Sequence, residues 1–168
     1  MRLGVEPIHW RLLSSASIDD IDAAFQAIAD YRQRWHIEQL FRTLKKQGLG
    51  LEESQITDAA ALRRLALIAL RAAVLCLQLV HARAGADPRP ATAAISPDDI
   101  PVLEAIAPTV NGRTARLSNP FAPRSLAWAA WIIARLGGWI GARDAKPPGP
   151  ITMHRGLHEF QAIAHGFR

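Results

Sequence analysis

The stretch Tyr31-Arg-Gln-Arg-Trp-His-Ile-Glu-Gln-Leu-Phe-Arg-Thr-Leu-Lys-Lys46, YRQRWHIEQLFRTLKK, carries five Lys/Arg side chains and a single carboxylate, Glu38. An α-helix advances about 100° per residue. On that wheel Tyr31, Arg34, Glu38 and Lys45 fall within about 60° of one another, and Arg42 lies on the same side. One acid among cations and a phenol suits phosphodiester chemistry: the carboxylate is a ligand for a divalent ion, and the cations and hydroxyl hold phosphates. A solvated basic face, with Glu38 pairing to Arg42 four residues on, is the plainer reading of the same spacing.

Working outward, Ile8–Ser15 (IHWRLLSS) reads as a short strand, with Trp10 and Leu12 on one side and Leu13 on the other. The helix containing the opening stretch starts after a capping box of Ser17 and Asp20. Asp19 and Asp22 suit its positive end, and Gly48 stops it. Ile37, Leu40, Phe41 and Leu44 form one apolar stripe on that helix, and Ile21, Phe25 and Ile28 form another well away from it. One straight helix cannot bury both against a single surface, so a break or kink is expected between Asp30 and Trp35.

A second long helix follows, capped by Thr57 or Asp58 and ending near Gly85. Its segment Leu65–Val80, LALIALRAAVLCLQLV, is nearly all apolar. It is shorter than a usual membrane span of about 20 residues and carries Arg71 and Gln78, so it reads as a core helix rather than a membrane crossing. A Pro/Ala-rich connection leads to a helix with Ser96 as cap and Pro97 in its first turn. A basic loop, a helix with several tryptophans (RSLAWAAWIIARLGGWIG), a rigid AKPPGP loop and a last helix complete the chain. No internal repeats are present.

The composition fits this outline. The 168 residues suit one domain or one core with a small appendage, and 49% apolar content supports a packed core. A net charge of +5 favours an anionic partner such as nucleic acid without deciding the fold. The lone Cys76 rules out an intrachain disulfide framework and fits a reducing cytoplasm, and the N-terminus has no apolar leader.

The spacing Y-(2)-R-(3)-E-(6)-K at Tyr31, Arg34, Glu38 and Lys45 resembles the signature of the DDE transposases of the insertion-sequence-four family, Tn-five type. PIHWRLLSS looks like the last core strand before that family's glutamate helix. RSLAWAAWIIARLGGWIG resembles its C-terminal segment ending in IARLGG, and GPITMHRGLHEF resembles the short helix after it. The resemblance covers nearly the whole chain in order. It implies a mainly α chain: the last strand and the glutamate-bearing helix of an RNase H-like (α/β) catalytic core, followed by an all-helical, dimerisation-like C-terminal region. The corresponding divisions are 1–56, 57–87 and 88–168.

The same resemblance implies that Glu38 is the third carboxylate of an Asp-Asp-Glu site for Mg²⁺ or Mn²⁺. Tyr31, Arg34, Arg42 and Lys45 would hold DNA phosphates at a transposon end. Trp10 would stack on a flipped base, the alternative being a core aromatic. Trp128, Trp131 and Ile132 would pack either against a second protomer or in the chain's own core.

His154 and His158 have metal-ligand spacing but no third ligand is evident in the sequence. The family's two aspartates are expected upstream of the strand, and Asp19, Asp20 and Asp22 cap a helix rather than replace them. The expected polypeptide is therefore a C-terminal transposase fragment, inactive alone. It binds DNA, pairs with itself or with full-length transposase, and needs no membrane. The alternatives are a non-catalytic dimerising or inhibitory protein, or an unrelated helical interaction module.

Overall fold

A computed structural model describes residues 9, 11–46, 50–141 and 146–167. The chain divides into two compact units, Met1–Gln39 and Leu40–Arg168.

In the first unit, residues 9 and 11–20 run without regular secondary structure into helix α1 (Ile21–Lys46), whose last turns belong to the second unit. The strand expected at 8–15 is not formed by the described residues, and Leu12 and Leu13 are exposed. A lone extended segment with no neighbouring strand has no ladder to join, so its backbone stays solvated. Trp10 lies outside the described residues.

Asp20 alone caps α1, its Oδ1 accepting from the Ala23 N–H at 2.7 Å. The expected Ser17–Asp20 box is replaced by Ser17 donating to Asp19. α1 is continuous through Asp30–Trp35, so the expected break does not occur. The premise behind it fails as well: the two stripes are not both buried. Ile21, Phe25, Ile28, Ile37 and Phe41 are exposed, and only Leu44, with Leu40 half-buried, enters a core.

The second unit is a helical core. Helix α2 (Ala59–Ala82) is capped by Asp58, whose Oδ1 accepts from Ala61 N–H at 2.8 Å. Near its middle Ala69 and Ala73 meet Leu44, Leu40 and Leu51. Its C-terminal half puts Cys76, Leu79 and Ala82 into the main core. Helix α3 (Ile100–Val110) follows a 3₁₀ turn at Pro97–Asp99, which Ser96 precedes without a side-chain cap.

Helix α4 (Leu126–Leu136) is the centre of this unit. Ser125 caps it, accepting from Trp128 N–H at 3.1 Å, and every residue from Leu126 to Ala134 is buried. A helix apolar on all faces needs neighbours on all sides, and α4 packs against α2, α3 and helix α5 (Pro150–Gly166). Trp128, Trp131 and Ile132 are consumed by this intrachain core, at 6%, 5% and 0% exposure, so they offer no surface to a second protomer. The crossing of α4 and α5 is set by glycines. A Cβ on Gly156 would sit 1.8 Å from the Ile133 carbonyl oxygen, and one on Gly137 2.0 Å from that of Thr152.

Arg135 closes the end of α4. Its Nε donates to the Val110 carbonyl and its Nη1 to the Trp139 carbonyl, each at 3.0 Å, while the guanidinium lies over the Trp131 ring. Two carbonyls at the end of α3 and in the loop after α4 thereby gain a charged donor. Among the described residues, α2 is the one helix long and apolar enough to cross a membrane; its C-terminal half is packed within this core.

Candidate nucleic-acid interface

Helical spacing on α1 brings Tyr31, Arg34 and Glu38 to one face, and that face is solvent-exposed. The Arg34 Nε lies 3.8 Å from Glu38 Oε1, with the two side chains 69% and 55% exposed. Glu38 therefore pairs backwards to Arg34 rather than forwards to Arg42. An exposed pair of this kind contributes little to stability, about 0–1 kcal/mol, because water screens both charges. It leaves both groups available to a ligand.

Tyr31, Arg32, Arg34, Trp35 and Glu38 line an open groove of about 500 Å³. Two guanidiniums, a phenol and an indole beside one carboxylate match an anionic ligand that also carries flat rings. The guanidiniums take phosphate oxygens in a bidentate fork, and the indole offers a stacking face. Trp35 is 56% exposed, and its value as a platform was missed from sequence. The available signal was its position four residues after Tyr31 and three before Glu38, which puts it on the same side of the helix.

In the second unit, Arg42 is exposed on α1, and Lys45 Nζ pairs at 2.7 Å with Glu52 Oε1 in the 3₁₀ segment Leu51–Glu53. Sequence reasoning missed Glu52. A contact between α1 and a separate element seven residues on leaves no periodic trace. This pair also neutralises part of the charge that Lys45 would otherwise present.

Residues 15–75 match the family model of the transposase DDE domain. The matched segment spans about a third of the chain. It contains Tyr31, Arg34, Glu38, Arg42 and Lys45, all of α1 and most of α2. The match supports a transposase-related function, with DNA as the class of substrate that such a domain handles. DDE domains work with divalent metal ions, so the donor set bears on the match. Mg²⁺ takes oxygen ligands in a near-octahedral shell and is commonly held by one or two carboxylates together with substrate phosphates. Among the described residues no three His, Cys, Asp or Glu side chains converge. Glu38 stands as a single carboxylate facing a guanidinium, so the described residues of this chain do not by themselves form such a metal centre.

Elsewhere, His154 and His158 share a groove of about 420 Å³ with Arg155 and Glu159 at the α4–α5 corner. Burial, and then the neighbouring His158, lower the His154 pKa below its ordinary value. Cys76 is buried in the main core, and burial pushes its thiol up to about 11. It is a packing residue and not a nucleophile.

Proposed function

We propose that this chain is the C-terminal part of a cut-and-paste DNA transposase of the insertion-sequence-four, Tn-five type, and that it binds DNA without cutting it when alone. The observation that carries the reading is the coincidence of the transposase DDE domain match with the exposed α1 groove: the full Tyr31–Arg34–Glu38–Lys45 spacing lies inside residues 15–75. In this reading Arg34, Arg42 and Lys45 hold phosphates, Tyr31 donates its hydroxyl to a phosphate oxygen, and Glu38 is one of several carboxylates of the full catalytic domain. The other carboxylates come from a part of that domain outside these 168 residues. Trp10 would stack on an extruded base.

The apolar surface supports the fragment reading. Most of the exposed large apolar side chains, among them Ile21, Phe25, Ile28 and Phe41, fall within the matched segment; the helices beyond it bury most of theirs, with Ile151 of α5 exposed. A matched domain whose apolar faces are uncovered lacks the body that would cover them.

The test is duplex binding by the 168-residue chain as a function of salt, together with a nicking assay in Mg²⁺ and in Mn²⁺. Binding should weaken steeply with salt, and replacing Arg34, Arg42 and Lys45 with Ala should reduce the log–log slope by about 1–3, since each phosphate contact contributes about 0.9. An unchanged slope removes the assigned phosphate contacts. Metal-dependent nicking that is lost in Glu38→Gln refutes the claim that the chain is inactive alone.

A further inference from the structure

The outward face of α2 combines apolar and cationic side chains. Leu67 is 66% exposed and shares its face with Leu70 and Val74, also exposed; Ile68, 67% exposed, lies about 100° round the helix from Leu67, on the flank near Leu79. Arg63, Arg64 and Arg71 are exposed on the same side, falling with Leu67, Leu70 and Val74 within about 120° of the helical wheel. α2 contains no Asp or Glu. Among the described residues none of these three arginines pairs with a carboxylate. The opposite side of the helix is packed through Ala69, Ala73, Cys76 and Leu79. This face thus has a rigid backing, an aliphatic centre and an unneutralised cationic edge.

We propose that this face of α2 docks a protein partner that presents an aliphatic ridge edged with carboxylates. Charge complementarity selects that occupant. A second copy using the same face would set arginine against arginine, a like-charge contact that opposes association. A nucleic acid would satisfy the guanidiniums but leave Leu67, Leu70 and Val74 without apolar cover. Arginine combined with a desolvated apolar centre is the composition of protein–protein interfaces. A membrane-spanning arrangement conflicts with the packed opposite face. The proposal concerns other residues than the α1 groove and another class of ligand; with the fragment reading it shares only the exposure of the α2 face.

The probe is an amphipathic helical peptide built only of leucine and glutamate, its fluorescence anisotropy followed on titration with the full 168-residue chain. Its leucine–lysine counterpart, a DNA duplex and anionic phospholipid vesicles serve as the other arms. The leucine–glutamate peptide should bind about tenfold or more tighter than the lysine version. The triple change Arg63→Glu, Arg64→Glu, Arg71→Glu should reverse that preference. The pair Leu67→Asp, Val74→Asp should abolish binding while the thermal unfolding transition of the core is kept, because these side chains are already in water. Equal binding of the two peptides, absence of binding, or binding indifferent to the α2 substitutions overturns the proposal. So does tighter binding to duplex or vesicles that depends on Leu67 and Val74.

Discussion

Replacing Gly156 with alanine should destabilise the helical core by about 1–2 kcal/mol. The added Cβ would meet the Ile133 carbonyl oxygen at 1.8 Å, about 1.6 Å inside ordinary contact, and Ile133 Cγ2 at 3.0 Å. Carbonyl oxygens do not rotate away as side chains do, so α5 must move off α4. That motion opens the packing of Met153, Leu157 and Phe160, all buried, against Ile132 and Ile133. Overpacking of a filled core, with the backbone shifts it forces, costs about 1–3 kcal/mol, and a clash with a carbonyl oxygen stands at the upper end. Against it stands the helix-propensity gain of alanine over glycine, about 1 kcal/mol, in the middle of α5. The two opposed effects leave a net loss. Urea denaturation followed by far-UV circular dichroism measures it. Gly149→Ala is the control: it precedes α5 and has nothing within 4 Å of a built Cβ, so its midpoint should hold within the equivalent of about 0.5 kcal/mol. A Gly156→Ala protein as stable as the parent would refute the view that α4 and α5 touch backbone to backbone.

Two further outcomes are expected. Glu38→Gln and Glu52→Gln each remove a carboxylate that competes for a cation, Arg34 and Lys45 respectively, and should tighten duplex binding at low salt with a smaller gain at high salt; no change in a fluorescence titration would mean that neither cation reaches phosphate. Cys76 should resist a thiol-reactive dye at pH 8 until the chain is unfolded, because burial raises its pKa from 9.0 to about 11. The unfolded chain ionises this thiol first, so stability falls as pH rises through the window between those values, and Cys76→Ala, which removes the thiol, should blunt that loss.

The helices of the second unit were legible because each carries its own punctuation. Asp58, one of the two expected caps, caps α2, and Pro97 opens a turn where its missing N–H is no loss; Ser125 and Pro150 do the same for α4 and α5, a signal the sequence reading did not use. What sequence did not decide was who covers whom. Trp128 and Trp131 read equally as an interface or as a core. Only the placement of α2, α3 and α5 around α4 settles it, and that depends on long-range contacts such as Gly156 against Ile133 that leave no local pattern. The grouping of Tyr31, Arg34 and Glu38 was legible from helical period alone. The Lys45–Glu52 pair was not, since its two members lie on different elements.

The errors at the start of the chain share one physical origin. A strand at 8–15 and a kinked α1 were both expected because apolar residues were assumed to find cover. Period-2 and period-3.6 patterns report where a chain would bury a face if a partner were present. Ile21, Phe25 and Ile28 keep their stripe, yet they remain exposed on a continuous helix, and Leu12 and Leu13 sit in solvent beside it in sequence. The pattern is intact and the burial is missing. Helix α2 repeats the same mismatch within one element. Leu67, Ile68, Leu70 and Val74, in the part that matches the transposase DDE domain, are exposed, whereas Cys76, Leu77 and Leu79, just past the match, are buried. Burial on α2 follows the face: Ala69, Ala73, Cys76 and Leu79 pack inward, while Leu67, Leu70 and Val74 look outward. An intact apolar period therefore reports a face and not its occupant, which is why periodicity placed α1 and α2 as helices and misjudged what α1 buries.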